Sequence, residues 1–342
     1  MNTKAERVLV TGGTGFLAGW AIVQLLERGY RVRTTVRSPS RERAVRDAVA
    51  NQIDARDRLE FSVADLSTPH GWDAAVAGCD YVIHAASPLG GANPDAPDEF
   101  IVPAREGTLN VLRAATAAGV RRVVMTSAAN TASPTSYSEH GVYDETTRSV
   151  DDPSFGAYRR SKIIAETAAW DFMADHRGAT TLTTVLPGAV FGPILSLENL
   201  RSVQIVQRLL DGRLPGVPRI GLEVVDVRDV MDLHIRAMTA EQAAGQRFLG
   251  TGEFVWMRDI ARALKAGLGE RAKRVRTLQL PDVAVRLAAR TDRGLKEILP
   301  GLGRRSTHTT DKARRLLGWQ PRPAAETVVG AAQALVAWGV VR

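Results

Sequence analysis

The first thirty residues limit the fold more than any other part of this 342-residue chain. Arg7-Val-Leu-Val-Thr11 is a short apolar, β-branched run, which suits a buried parallel strand. Gly12-Gly13-Thr14-Gly15 follows at once. Glycines let a backbone turn tightly and lie close to a ligand. Phe16 to Arg28 then has amphipathic spacing and stops at Gly29, a good residue to end a helix. Strand, glycine turn, helix opens a doubly wound sheet, and the helix N-terminus there presents N–H donors and a positive dipole end to a pyrophosphate. The spacing is Gly12-x-x-Gly15-x-x-Ala18, with alanine in the third place.

The same rhythm continues. Strands are expected at Tyr30–Val36, Leu59–Val63, Tyr81–His84, Arg122–Ser127 and Thr180–Leu186, with a long helix from Pro97 to Ala118 and another from Phe155 to Trp170. Strands alternating with helices make a parallel sheet. Ala128 to Pro153 reads as a long polar loop. Beyond Pro193 the alternation fades into a helix at Glu198–Leu210, a strand at Leu222–Val227, a helix at Arg228–Thr239, a strand near Gln246–Thr251 and a mostly helical remainder. The expected architecture is α/β: a Rossmann-type doubly wound parallel sheet over residues 1–192, to which 222–250 return, and a smaller, mostly helical substrate lobe from 193–221 and 251–342.

The residues at the strand ends carry the chemistry. About 20 residues past the glycines, where an acid usually meets a free ribose 2′-hydroxyl, stand Val36 and then Arg37. An arginine suits a 2′-phosphate, with Arg41 or Arg43 as helpers, so NADP(H) is expected over NAD(H); the plain alternative for Arg37 is a solvated charge. Asp65, before Leu66, is either an acceptor for the adenine amino group or a loop or capping carboxylate. Ala85, Ala86 and Ser87 are small enough for backbone to lie against a ribose. His84 reads as a packed, hydrogen-bonded histidine. Tyr158 and Lys162 are one helical turn apart on one face, and a nearby cation lowers a tyrosine pKa, which fits proton exchange with a substrate oxygen.

Composition excludes several classes. The charge of +8 comes from scattered arginine pairs without a nucleic-acid-binding module, so nucleic acid is not an expected partner. No apolar run nears a membrane span, and no histidine or acid is spaced to share a metal with His84. One cysteine, Cys79, and no signal-peptide anatomy point to the cytoplasm.

Taken together, Val10-Thr-Gly-Gly-Thr-Gly-Phe-Leu-Ala18, Thr35-Val-Arg37, Asp65-Leu66, His84-Ala-Ala-Ser-Pro88, Gly107-Thr-Leu-Asn110, Tyr158-x-x-x-Lys162, Pro187-Gly-Ala-Val190 and Val225-Asp-Val-Arg-Asp229 resemble the extended short-chain dehydrogenase/reductase family, nearest its dihydroflavonol-reductase-like and aldehyde-reductase-like carbonyl reductases. The resemblance covers essentially the whole chain. It implies NADPH across the sheet, with Gly12, Thr14, Gly15, Phe16 and Leu17 at the pyrophosphate, Arg37 at the 2′-phosphate and Asp65 and Leu66 beside the adenine. Ala85 to Ser87 and Thr126 would line the cofactor, and Pro187, Gly188, Ala189 and Val190 would border the nicotinamide. Tyr158 would protonate the carbonyl oxygen, Lys162 would bond the ribose and depress the tyrosine pKa, and Asn110 would support a proton relay through water. One position departs from the family. Thr126-Ser127 is followed by Ala128, where a second hydroxyl usually bonds the carbonyl, so Ser127, Thr131 or Ser133 would have to serve, or Tyr158 alone.

The expected activity is NADPH-dependent reduction of an aldehyde or ketone, or the reverse alcohol oxidation. The alternatives are a nucleotide-sugar epimerase or dehydratase, against which Arg37 speaks, and a dinucleotide-sensing protein without turnover, which Ala128 keeps open. Leu89, Tyr143, Phe191 and Trp256 are pocket candidates that favour a hydrophobic carbonyl substrate, each with plain core packing as its alternative.

Overall fold

Short buried strands set the frame. The computed structural model of the chain describes residues 5–88, 97–134, 140–212, 215–291 and 293–341. In chain order its first half runs β1 (Arg7–Val10), α1 (Phe16–Glu27), β2 (Arg31–Val36), α2 (Glu42–Ala50), β3 (Leu59–Val63), α3 (Trp72–Val76), β4 (Tyr81–His84), α4 (Asp98–Ala117), β5 (Arg122–Thr126), β6 (His140–Tyr143), α5 (Ala157–Asp175) and β7 (Thr181–Pro187). The second half runs β8 (Ala189–Phe191), α6 (Gln204–Asp211), β9 (Gly221–Asp226), α7 (Val227–Thr239), β10 (Arg247–Gly250), β11 (Glu253–Trp256), α8 (Met257–Leu268), α9 (Asp282–Ala288), α10 (Arg293–Ile298), β12 (Arg305–His308), α11 (Asp311–Leu317) and α12 (Ala324–Ala337).

Seven strands form one parallel sheet in the order β10-β7-β5-β4-β1-β2-β3. Val8 faces Val32 on one side and Tyr81 on the other, so the order reverses at β1, and ligands of such sheets bind outside the strand ends at that point. Burial on both sheet faces explains the unbroken apolar strands: every residue of β4 and β5 is buried. One core joins α1 and α7 to the C-terminal lobe; another joins α3, α4 and α5 to the sheet's other face.

The polar loop expected between Ala128 and Pro153 is partly ordered structure. It holds a 3₁₀ turn at Ala129–Ala132, and β6 pairs in parallel with β12, more than 160 residues away. No local pattern announces such a partner. The expected helix at Glu198–Leu210 begins as a 3₁₀ segment, Leu197–Val203, before α6. Residues 222–250 divide. β10 joins the main sheet beside β7, whereas β9 lies in a separate three-stranded sheet ordered β11-β9-β8. The lobe is therefore less helical than the sequence suggests.

Candidate active site

At the end of β1 the chain needs a left-handed turn. Gly12 has φ +75°, and a Cβ on Gly13 would sit 2.5 Å from Thr34 Oγ1, so neither position accepts a side chain without strain. Gly12 N donates to Thr35 Oγ1 at 2.8 Å, and Gly15 N to Gly12 O at 2.8 Å. The loop is thus closed on itself, which leaves the start of α1 open to a ligand.

His84 ties this loop to its neighbour. Thr108 Oγ1 donates to Ala104 O at 2.8 Å, so it accepts from His84 Nε2–H at 3.4 Å. Nδ1 is then the acceptor for the Thr11 hydroxyl at 2.9 Å, and Thr11 Oγ1 accepts from Ala86 N at 2.9 Å. Burial lowers the His84 pKa to about 3, with a smaller push from Lys162, so the ring stays neutral. His84 is a hydrogen-bonded core residue that fixes Ala86 against the glycine turn.

Between these loops lies a cleft of about 500 Å³. Of the expected cofactor residues it is lined by Gly12, Thr14, Gly15, Phe16, Leu17, Arg37, Asp65, Leu66, Ala85, Ala86 and Ser87, and it also takes in Arg41 and Ser202. The glycine turn, the small Ala85–Ser87 wall and the exposed arginines fit a dinucleotide. Arg37 stands 3.6 Å from Asp65, and Arg41 is paired with Glu198. Arg43 is 91% exposed and turned to Asp47 in its own helix, away from the cleft. The Asp65 pKa is lowered by hydrogen bonds from the Ser67 amide and hydroxyl, with Arg37 adding a smaller effect. Asp65 is therefore a turn-forming carboxylate that also lines the cleft.

The reaction end is built from β5, α5 and α7. His234 Nδ1–H donates to Val230 O at 2.8 Å, leaving Nε2 to accept the Thr126 hydroxyl at 2.8 Å. Burial holds His234 neutral, its pKa lowered to about 4. The Thr126 carbonyl accepts from Lys162 Nζ at 3.2 Å. Burial lowers the Lys162 pKa to about 8 against a smaller opposing effect of Glu166. Tyr158 leaves 43% of its surface open, yet desolvation by the surrounding protein raises its pKa. The expected depression of the phenol by Lys162 is not found: the ammonium is turned to Thr126 O.

Two further expectations are corrected. Ser127 is 2% exposed and donates to Glu166 Oε2 at 2.7 Å, in a cluster where Thr131 at 2.5 Å, Thr184 at 2.8 Å and Arg247 at 2.9 Å serve the same carboxylate. Burial pushes Glu166 up, but these donors outweigh it and hold the acid below its ordinary pKa. Ser127 and Thr131 are thus engaged behind the strand. Ser133 is paired with His308 Nε2 at 3.0 Å, and His308 Nδ1 with Glu223 Oε2 at 2.6 Å. Asn110 takes a hydrogen bond from Arg113 at 3.2 Å in an exposed pair. Thr108 faces the sheet, and two residues of helix turn Asn110 by about 200° from it.

Pro187 ends β7, and Gly188 to Val190 lead into β8; a Cβ on Gly188 would meet Glu223 O at 2.4 Å. Phe191 is a core residue, Trp256 packs edge-on to Phe254 at 5.0 Å, and Tyr143 stands 6.1 Å from His308. Leu89 lies outside the described residues. Sequence reasoning missed Glu166, Arg247, His234 and Glu198. Glu166 had a signal: it is i+4 from Lys162 and i+8 from Tyr158, so it shares their helix face. Among the described residues no group of side chains could hold a metal, and no helix is long and apolar enough to cross a membrane.

Residues 8–249 match the NAD dependent epimerase/dehydratase family. The chain belongs to this family of extended short-chain dehydrogenase/reductases. Among curated family members, a ketoreductase (azaE) of Aspergillus niger is 34% identical over 308 residues, covering 82% of this chain and 88% of the relative. A (2S)-flavan-3-ol-forming anthocyanidin reductase of Vitis vinifera is 32% identical over 254 residues, 69% of this chain and 74% of the relative. Gre2 of Candida albicans, solved in complex with NADPH, has a TM-score of 0.81 at 25% identity, covering 97% of this family member and 99% of that chain. The yeast methylglyoxal/isovaleraldehyde reductase Gre2 has the same fold, with a TM-score of 0.81 at 24% identity over 98% of this chain and 100% of the other.

Proposed function

We propose that the chain is an NADP(H)-dependent carbonyl reductase, an oxidoreductase that converts an aldehyde or ketone to an alcohol and can run in reverse. Two observations support this reading: Tyr158 and Lys162 lie one turn apart on α5, with the Lys162 ammonium at the end of β5, and the cleft carries Arg37 where a 2′-hydroxyl-binding acid would stand. The reductases among the relatives support it.

Bound NADPH would supply the hydride, held by Gly12 to Leu17, Arg37 and Ala85 to Ser87. Tyr158, with its pKa raised, keeps its proton at neutral pH and can give it to a carbonyl oxygen that gains negative charge. Lys162, with a pKa near 8, still carries its charge at pH 7 and favours the phenolate left behind once it turns from Thr126 O toward the phenol. Thr126, held by His234, fixes the resting place of that ammonium. The substrate we infer is a small, largely apolar carbonyl compound. Cys79, the single cysteine, is buried with its pKa pushed up to about 11 by desolvation, which suits a reducing cytoplasm.

The test is NADPH consumption over a panel of aromatic and aliphatic aldehydes and ketones, with Tyr158→Phe beside the parent. Loss of a general acid is expected to lower turnover by about 10²- to 10⁴-fold while NADPH still binds. A parent that binds NADPH but reduces nothing on the panel favours the second reading, a sensing protein. The placement of Ala128, Ser127 and Thr131, none of which offers a free hydroxyl, speaks for that second reading.

A further inference from the structure

The turn Leu197–Val203 belongs to the lobe but reaches across the cofactor cleft. Asn199, 7% exposed, donates from Nδ2 to Thr14 O of the glycine turn at 3.1 Å. Upstream, Trp20 Nε1 of α1 donates to Pro193 O at 2.8 Å. The segment is therefore tied to the glycine turn at Asn199, and the chain before it to α1 at Pro193. Glu198 precedes Asn199, which places its carboxylate within reach of Arg41, and the two are paired. Arg41 lines the cleft beside Arg37 and Ser38.

From this placement we infer that Glu198 is a specificity-determining residue for the cofactor: it competes with the 2′-phosphate for the Arg41 guanidinium. The inference rests on the NADP(H) reading above. A guanidinium offers its strongest, two-pronged hydrogen bonds to one planar anion at a time. A phosphate arriving at Arg37 and Arg41 has to take Arg41 from Glu198, and it meets a negative charge beside it. A cofactor that ends in a 2′-hydroxyl makes no claim on Arg41 and leaves the pair intact. Glu198 thus weakens NADPH alone and narrows the gap between the two nicotinamide cofactors. Both side chains are about two-fifths exposed, 42% for Arg41 and 41% for Glu198, so the pair contributes little to folding and can exchange partners.

The experiment is equilibrium titration of NADPH and NADH, by calorimetry, into the parent, Glu198→Gln, Arg41→Ala and the double variant. Glu198→Gln is expected to tighten NADPH by about two- to fivefold, the size of an exposed ion pair, and to leave NADH unchanged. Arg41→Ala is expected to weaken NADPH by roughly tenfold or more, the size of a charged hydrogen bond, again without effect on NADH. In the Arg41→Ala background the glutamine should add nothing. The inference is overturned if Glu198→Gln leaves NADPH affinity unchanged, if it shifts both cofactors equally, or if its effect survives without Arg41. If the parent and Glu198→Gln both bind NADPH no tighter than NADH, the cofactor reading itself is overturned, which separates the two failures.

Discussion

Behind β5, Glu166 and Arg247 meet at 2.9 Å with side chains 4% and 5% exposed. At the cleft rim, Arg37 and Asp65 stand 3.6 Å apart with side chains 79% and 36% exposed. The two pairs use the same chemistry for opposite ends. A buried charge must recover its lost hydration, and Glu166 does so with donors from Ser127, Thr131, Thr184 and Arg247. Arg247 spends its other N–H groups on the carbonyls of Glu145, Thr147 and Thr131. With these groups engaged, the cluster welds the start of β10, α5, β7 and the 3₁₀ turn together. The rim pair loses almost nothing on separating, so its arginine is free to take a phosphate. Burial, more than residue type, decides which arginines build the protein and which stay open to a ligand.

The largest test of this contrast is Arg247→Met, which leaves the Glu166 carboxylate buried without its cation. It is expected to cost about 3–5 kcal/mol, measured by thermal or denaturant unfolding. Arg37→Ala should stay within about 0.5 kcal/mol of the parent in the same measurement. Equal costs for the two variants would break the comparison.

Lys162 sharpens it from the other side, as a buried cation kept without a carboxylate within salt-bridge distance among the described residues. Its pKa falls from 10.5 to about 8, so the folded protein resists the charge that the unfolded chain accepts. The sign follows: the unfolded state binds more protons between about 8 and 10.5, the burden on folding is full below pH 8, and it fades as pH rises toward 10.5. Lys162→Met should therefore stabilise the fold near neutral pH by up to roughly 3 kcal/mol while abolishing turnover. In the parent, kcat/KM should fall as pH rises through about 8, where Lys162 loses its charge. A less stable Lys162→Met variant would show that the bond to Thr126 O outweighs the desolvation.

Both regions differ in how far the sequence discloses them. The cleft is assembled from strand ends followed at once by glycines, alanines or a charged residue, so the glycine turn, Arg37 and Ala85 to Ser87 could be read locally. The Tyr158–Lys162 spacing is also local. The buried cluster is not: Glu166 and Arg247 are 81 residues apart, and nothing near Arg247 marks it as an inward-facing strand residue with a partner on α5. Ser127 looks available in sequence because its hydroxyl carries no sign of a carboxylate behind it. Asn110 is paired with Arg113 on its own helix, and a motif match does not say which helix face a residue takes. The pairing of β6 with β12 and the reach of Glu198 across the cleft are decided by the lobe, whose packing no local period encodes.

The smallest expected effect concerns the rim. Arg37→Ala should weaken NADPH by about 1.5–3 kcal/mol, the range for a hydrogen bond to a charged group, which is roughly 10- to 100-fold in Kd. NADH affinity should hold, because a ribose 2′-hydroxyl needs no cation there. The loss should shrink in high salt, since Arg37 is 79% exposed and screening acts on exposed charges first. Asp65→Asn separates the two parts that Asp65 plays. It removes the charge that holds Arg37 yet keeps an oxygen for the Ser67 amide and hydroxyl, so NADPH should bind no worse than to the parent. If Asp65→Asn weakens NADPH and NADH alike, the carboxylate serves the adenine end and its pairing with Arg37 is incidental. If it leaves NADH unchanged and tightens NADPH, the rim arginine is held in reserve by a carboxylate, as Arg41 is by Glu198.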